Sequence, residues 1–81
     1  MSAVEKQAFE LIANVLEINV ETVHQELAIG DIPEWDSIAH MRIIAAIETQ
    51  LSETLDVEET LEIEDVEDII DIISSRKIKT N

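Results

Sequence analysis

The chain has 81 residues, enough for one small domain, and it carries 19 acidic against five basic side chains for a formal charge of −14. That field repels nucleic-acid phosphates and anionic membrane surfaces, and it steers basic proteins toward the chain. With no cysteine, disulfides and thiolate metal sites are excluded, and no apolar run approaches membrane-spanning length. Hydrophobic residues make up 46% of the chain, but Phe9 and Trp35 are its only aromatics, so any core must be aliphatic.

Ser2-Ala3-Val4-Glu5 has the form of a capping box, with Ser2 as cap and Glu5 reaching back to it. Val4, Ala8, Leu11, Ile12, Val15 and Leu16 follow at helical spacing with Phe9 alongside, which predicts a first helix over about residues 3 to 16. This acidic, amphipathic opening does not read as a signal peptide, and a cytoplasmic location is expected. From Glu17 to Asp36 the rhythm weakens, and Gly30-Asp31-Ile32-Pro33 breaks any helix. Ile18, Val20, Val23, Leu27 and Ile29 read as anchors for a long loop, with room for one helical turn between Val20 and Leu27.

The second predicted helix runs from about Ser37 to Leu51, with Ile38, Met41, Ile44, Ala45, Ile47 and Leu51 on broadly one side. Its apolar surface is wider than a core stripe, since Ile43 and Ala46 add to it, so part of it is expected to stay exposed as a docking surface. Val57 to Leu61 fits one short helix. Glu64 opens a last helix with Val66, Ile69, Ile70 and Ile73 facing inward. Ser74-Ser75 reads as its end, with Arg76, Lys77 and Lys79 complementing the negative C-terminus. The expected fold is all-α: a single domain over residues 1 to 81, a small bundle of three main helices and one short one, with a long first loop.

Asp36-Ser37 at the start of the second helix carries the functional signal. An aspartate just outside a helix caps the orphan N–H groups of the first turn, leaving the next residue's hydroxyl free to face solvent. A phosphate ester at Ser37 would sit where the helix dipole favours negative charge. The simpler reading is that Asp-Ser is only an N-cap pair.

The order of helix, long loop, Asp36-Ser37-Ile38 at a helix start, acidic segment and last helix resembles the acyl carrier protein family over nearly the whole chain. The family's central motif is Asp-Ser-Leu, and Ile38 in place of Leu keeps what is expected to be an aliphatic core residue. Ile47-Glu48 and Leu51 match the family's helix ending. The resemblance implies that Ser37 is esterified by 4′-phosphopantetheine, taken from coenzyme A and attached by a phosphopantetheinyl transferase, with Asp36 in support. The implied protein is not an enzyme. It is a monomeric carrier of acyl thioesters that meets acyl-loading and acyl-transfer enzymes of fatty acid, polyketide or other specialised biosynthesis, with no membrane insertion and no nucleic acid. The arm would supply the thiol that the sequence lacks.

Departures from the family pattern shape the expected partners. Residues 37 to 51 contain one base, Arg42, and one acid, Glu48, while residues 53 to 71 hold ten acids. Ala39 and Arg42 stand where fatty-acid-synthesis carriers place Asp and Glu, which suggests a secondary, cell-envelope or modified-acyl pathway. Ile38, Ala39, Arg42, Ile44 and Ala45 are the expected partner surface. Glu34-Trp35-Asp36-Ser37-Ile38 lacks the Gly-Gly-x-Ser-Leu pattern of peptidyl carriers, leaving a discrete D-alanyl or peptidyl-type carrier as the alternative. Trp35 is expected to pack the loop's end onto the core.

Other classes fit less well. Ser37 with His40 or His24 as base would make a hydrolase, but no glycine-rich turn offers an oxyanion hole. The acids Glu58, Glu59, Glu62, Glu64, Asp65, Glu67, Asp68 and Asp71 lack the glycine turn of a calcium loop, so no metal site is expected. A non-catalytic acidic interaction module explains the charge but not the position of Asp36-Ser37.

Overall fold

The computed structural model describes residues 2 to 79 along the backbone and 2 to 76 in their side chains. It is all-α, with helices α1 (Ala3–Leu16), α2 (Ser37–Leu51), α3 (Val57–Glu62) and α4 (Val66–Lys79), and one 3-10 turn at Val20–Thr22. No strand is present among the described residues.

Helix α1 starts as the capping box predicts. The Glu5 N–H donates to Ser2 Oγ (3.1 Å) and the Ser2 N–H donates to Glu5 Oε1 (2.9 Å). The Ser2 N–H bond, with the Ser2 hydroxyl nearby and a bond from Gln25 Nε2 to Glu5 Oε2 (2.8 Å), holds the Glu5 carboxyl below its ordinary value, the Ser2 backbone bond contributing most. Ala8, Leu11, Ile12 and Leu16, spaced by three and four, face the core. The helix ends on Glu17 in the left-handed region (φ 57°), its N–H donating to the Ala13 carbonyl.

The long loop from 17 to 36 is fastened rather than regular. Asn19 caps the 3-10 turn, and Val23 and Leu27 are buried. Val20, expected as an anchor, is exposed instead because the tight turn carries it outward. Beyond Leu27 the loop pairs antiparallel with the connection into α4. Ile29 N–H donates to the Glu64 carbonyl (3.0 Å), Val66 N–H to the Leu27 carbonyl (2.9 Å) and Glu67 N–H to the Gln25 carbonyl (3.2 Å). These bonds satisfy backbone groups that a buried loop would otherwise strand. Gly30, at φ 89°, makes the sharp turn that follows, and its N–H donates to the Trp35 carbonyl (2.8 Å).

Helix α4 starts two residues after the expected Glu64 and runs past Ser74-Ser75 to Lys79. Asp65 is its effective cap, accepting from the Asp68 N–H (2.8 Å). Val66, Ile69 and Ile73 are fully buried and Ile70 is half-buried. Two consecutive serines do not stop a helix whose inner face is still packed. The side chains of Lys77 and Lys79 lie outside the described residues.

Helix α2 is rotated from the expected phase. Ala39, Ile43 and Ile47 face the core, each four residues on from the last, while Ile38 and Met41 are 73% exposed. The helix is apolar at every position from Ile38 to Ile47 except His40 and Arg42, so contacts with α1 and Trp35 decide which side turns inward.

Candidate functional site

Ser37 is the first residue of α2, and the turn before it is held from several directions. Asp36 is extended (φ −96°, ψ −174°). Its Oδ1 accepts from the Ala39 N–H (2.8 Å) and its carbonyl from the His40 N–H (2.9 Å). The N–H groups of Ser37 and Ile38 take no acceptor among the described residues, and the Ser37 side chain is exposed with its hydroxyl likewise unpaired. A free hydroxyl therefore stands at the positive end of a 15-residue helix beside two unengaged donors.

Behind this turn lies a polar relay that sequence reading missed. Trp35, fully buried, donates its indole N–H to His40 Nδ1 (3.0 Å), and the two rings stack with centroids 5.9 Å apart. His40 Nε2 lies 2.9 Å from the Ile63 carbonyl. An indole N–H can only donate and a carbonyl can only accept, so the imidazole is neutral with its proton on Nε2. The relay ties the loop's end to α2 and to the segment before α4. It also occupies the lone pair that a Ser37–His40 catalytic pair would use. His24 pairs with exposed Glu26 (3.3 Å) and has no bond to Ser37.

The expected partner residues divide. Ile38, Arg42 and Ala45 are exposed, and Ile44 is half-buried. Ala39 is buried at 9% exposure, so it is a packing residue and leaves the docking set. Ile38, expected in the core, lies outside it, because as the second residue of α2 it falls on the side opposite Ala39 and Ile43.

Two apolar side chains on α3, Val57 and Leu61, are exposed to the same degree as Ile38 and Met41 and escaped the sequence reading. Leu61 and Thr60 face His40, Met41, Ile44 and Ala45 across a shallow groove of about 390 Å³, so α2 and α3 together present one apolar surface. Their exposure is legible only once α3 is seen to bury none of its side chains.

Four of the ten acidic residues between 53 and 71, Asp56, Glu59, Asp65 and Asp68, accept backbone N–H groups at helix starts. Asp56 and Glu59 form a second capping box at α3, and Asp68 Oδ2 accepts from the Glu64 N–H (3.0 Å). Glu48 reaches over to accept from the Leu55 N–H (2.8 Å). No group of three or more His, Asp or Glu side chains is disposed to hold a metal among the described residues. No described helix is long and apolar enough to cross a membrane. No model of a known protein family matches the chain, and a search of curated proteins returns no match.

Proposed function

We propose that the protein is a carrier, holding acyl groups as thioesters on a 4′-phosphopantetheine arm esterified to Ser37, and that it is not itself a catalyst. The observation that carries this reading is the exposed, unpaired Ser37 hydroxyl in the first turn of α2, capped by Asp36 and rigidly backed by Trp35 and His40. The site's chemistry fits the group. A phosphodiester at Ser37 would gain the positive helix end and the free N–H groups of Ser37 and Ile38. The arm supplies a thiol, which the chain lacks. The protein's own part is to hold the serine at a fixed position and to present a recognition surface around it.

That surface is the exposed apolar set of Ile38, Met41 and Leu61, with Ala45 and Arg42 beside them. Docking through it would rest on apolar contact more than on salt bridges, unlike a carrier with an acidic second helix. This supports partners in a specialised acyl pathway, starting with a phosphopantetheinyl transferase and followed by loading and transfer enzymes.

The test is intact-mass spectrometry after incubation with coenzyme A and a broad-specificity phosphopantetheinyl transferase. One arm is expected per chain, lost in Ser37→Ala with the helical circular dichroism unchanged. No gain, or a gain that survives the substitution, defeats the reading and leaves an acidic interaction module as the better account of the −14 charge.

A further inference from the structure

Helix α3 is held unlike the other three helices. It buries none of its six side chains, and the buried residues nearest to it, Leu55 and Ile63, flank it on either side. Across from it lies α4, and the groove of about 410 Å³ between them is lined by Glu59, Glu62, Asp68 and Asp71. Four carboxylates around one groove repel, so electrostatics favours moving α3 away.

One cation opposes this. Arg76 on α4 is only 15% exposed; its Nη1 donates to Glu53 Oε1 (3.2 Å) and its Nη2 to Glu59 Oε2. Glu59 is also the residue whose other oxygen closes the α3 capping box. The guanidinium fork therefore grips both the approach to α3 and its first turn, and the planar group satisfies two carboxylates at once. A helix-end role for Arg76, as read from sequence, would need no such partners.

We infer that Arg76 is a latch that sets the balance between a closed α3 and one swung off α4. The apolar groove that begins at His40, one turn from Ser37, has α3 as its outer wall, so releasing the latch widens that groove. The latch stands on the Arg76 geometry alone and is independent of whether Ser37 is modified. The charge pair is partly solvated, so its effect is expected to be modest in free energy and local in reach.

Amide hydrogen exchange on the unmodified chain tests it. Arg76→Gln is expected to speed exchange at Thr60, Leu61 and Glu62 about tenfold while leaving Leu11 and Ile12 of α1 within twofold. Arg76→Lys, which keeps the charge but loses the fork, should fall between the two. Glu59→Gln provides the same test from the other side if Arg76→Gln does not fold. Unchanged α3 exchange in whichever of these variants folds, or a rise spread evenly over all four helices, overturns the latch. Since no coenzyme or transferase enters this experiment, its failure is separate from failure of the carrier reading.

Discussion

His40→Ala is the sharpest test of how the Ser37 turn is held. The substitution removes the acceptor for a fully buried indole N–H and the donor to the Ile63 carbonyl, itself in a buried residue. Each orphaned group costs about 1–3 kcal/mol, and loss of the Trp35 stack adds about 0.5–1.5 kcal/mol. Water entering the vacated space recovers part of this, so a net loss of about 2–4 kcal/mol is expected. Against a total of about 4–12 kcal/mol for a domain of this length, that is a large fraction. The melting temperature should fall by about 10–25 °C.

Urea titration followed by circular dichroism gives the equilibrium value. Trp35 is the only tryptophan, so its emission reports the same transition from inside the relay. A double cycle with Trp35→Phe should show coupling of about 1 kcal/mol, because each single change already breaks the shared bond. A His40→Ala variant within about 0.5 kcal/mol of the parent, or strict additivity with Trp35→Phe, would refute the relay as a source of stability.

Three further outcomes follow from the geometry. Asp36→Ala should cost about 1 kcal/mol and Asp36→Asn much less, because the amide oxygen can still accept from Ala39, while Ser37→Ala stays within about 0.5 kcal/mol; thermal melts of the three variants check this. Ala39→Asp should destabilise by about 2 kcal/mol or more, since it forces a carboxylate into a packed interface, whereas Ile38→Asp on the exposed side should be nearly neutral to folding and instead impair transfer by a cognate enzyme; urea titration and acyl transfer read the two effects apart. Glu5 is held below its ordinary value of 4.5 in the folded chain, so it contributes stability above that pH and loses it as pH falls through the lowered folded value. The stability gap between the parent and Glu5→Ala should therefore be present at neutral pH and close in acid, and a gap that widens on acidification contradicts the capping role.

Helices α1 and α2 were legible to the residue because each opens on a polar cap and carries apolar residues at helical spacing. The phase of α2 was not legible. A helix apolar on nearly every side gives no periodic preference, and its orientation is settled by the small Ala39 fitting against the core and by His40 meeting Trp35. A polar residue embedded in that run, five positions from the sole tryptophan, was the available signal for the relay.

The apolar anchors of the first loop, Val23 and Leu27 among them, were legible, but its main-chain fastening was not. That fastening consists of main-chain bonds between segments far apart in sequence, which side-chain patterns do not encode. The Ser37 turn itself was readable, since capping is local chemistry. The exposure of the expected partner residues was only partly legible. Arg42, Ile44 and Ala45 stand at or near the surface and Ile38 is exposed, but Ala39 points inward and the α3 contribution went unseen.

The bonds that join Leu27 and Ile29 to Glu64 and Val66 have a kinetic consequence. They close a circuit of roughly 35 residues containing Ser37, all of α2 and all of α3, and closing a flexible segment of that length costs about 3 kcal/mol of chain entropy. Such a circuit gains little until both of its feet stand on an already formed pair of outer helices. The order of assembly should then run from α1 and α4 inward, with the serine turn arriving last. In stopped-flow refolding, the helical signal should lead and Trp35 emission should lag behind it, making the Ser37 turn a checkpoint on complete folding.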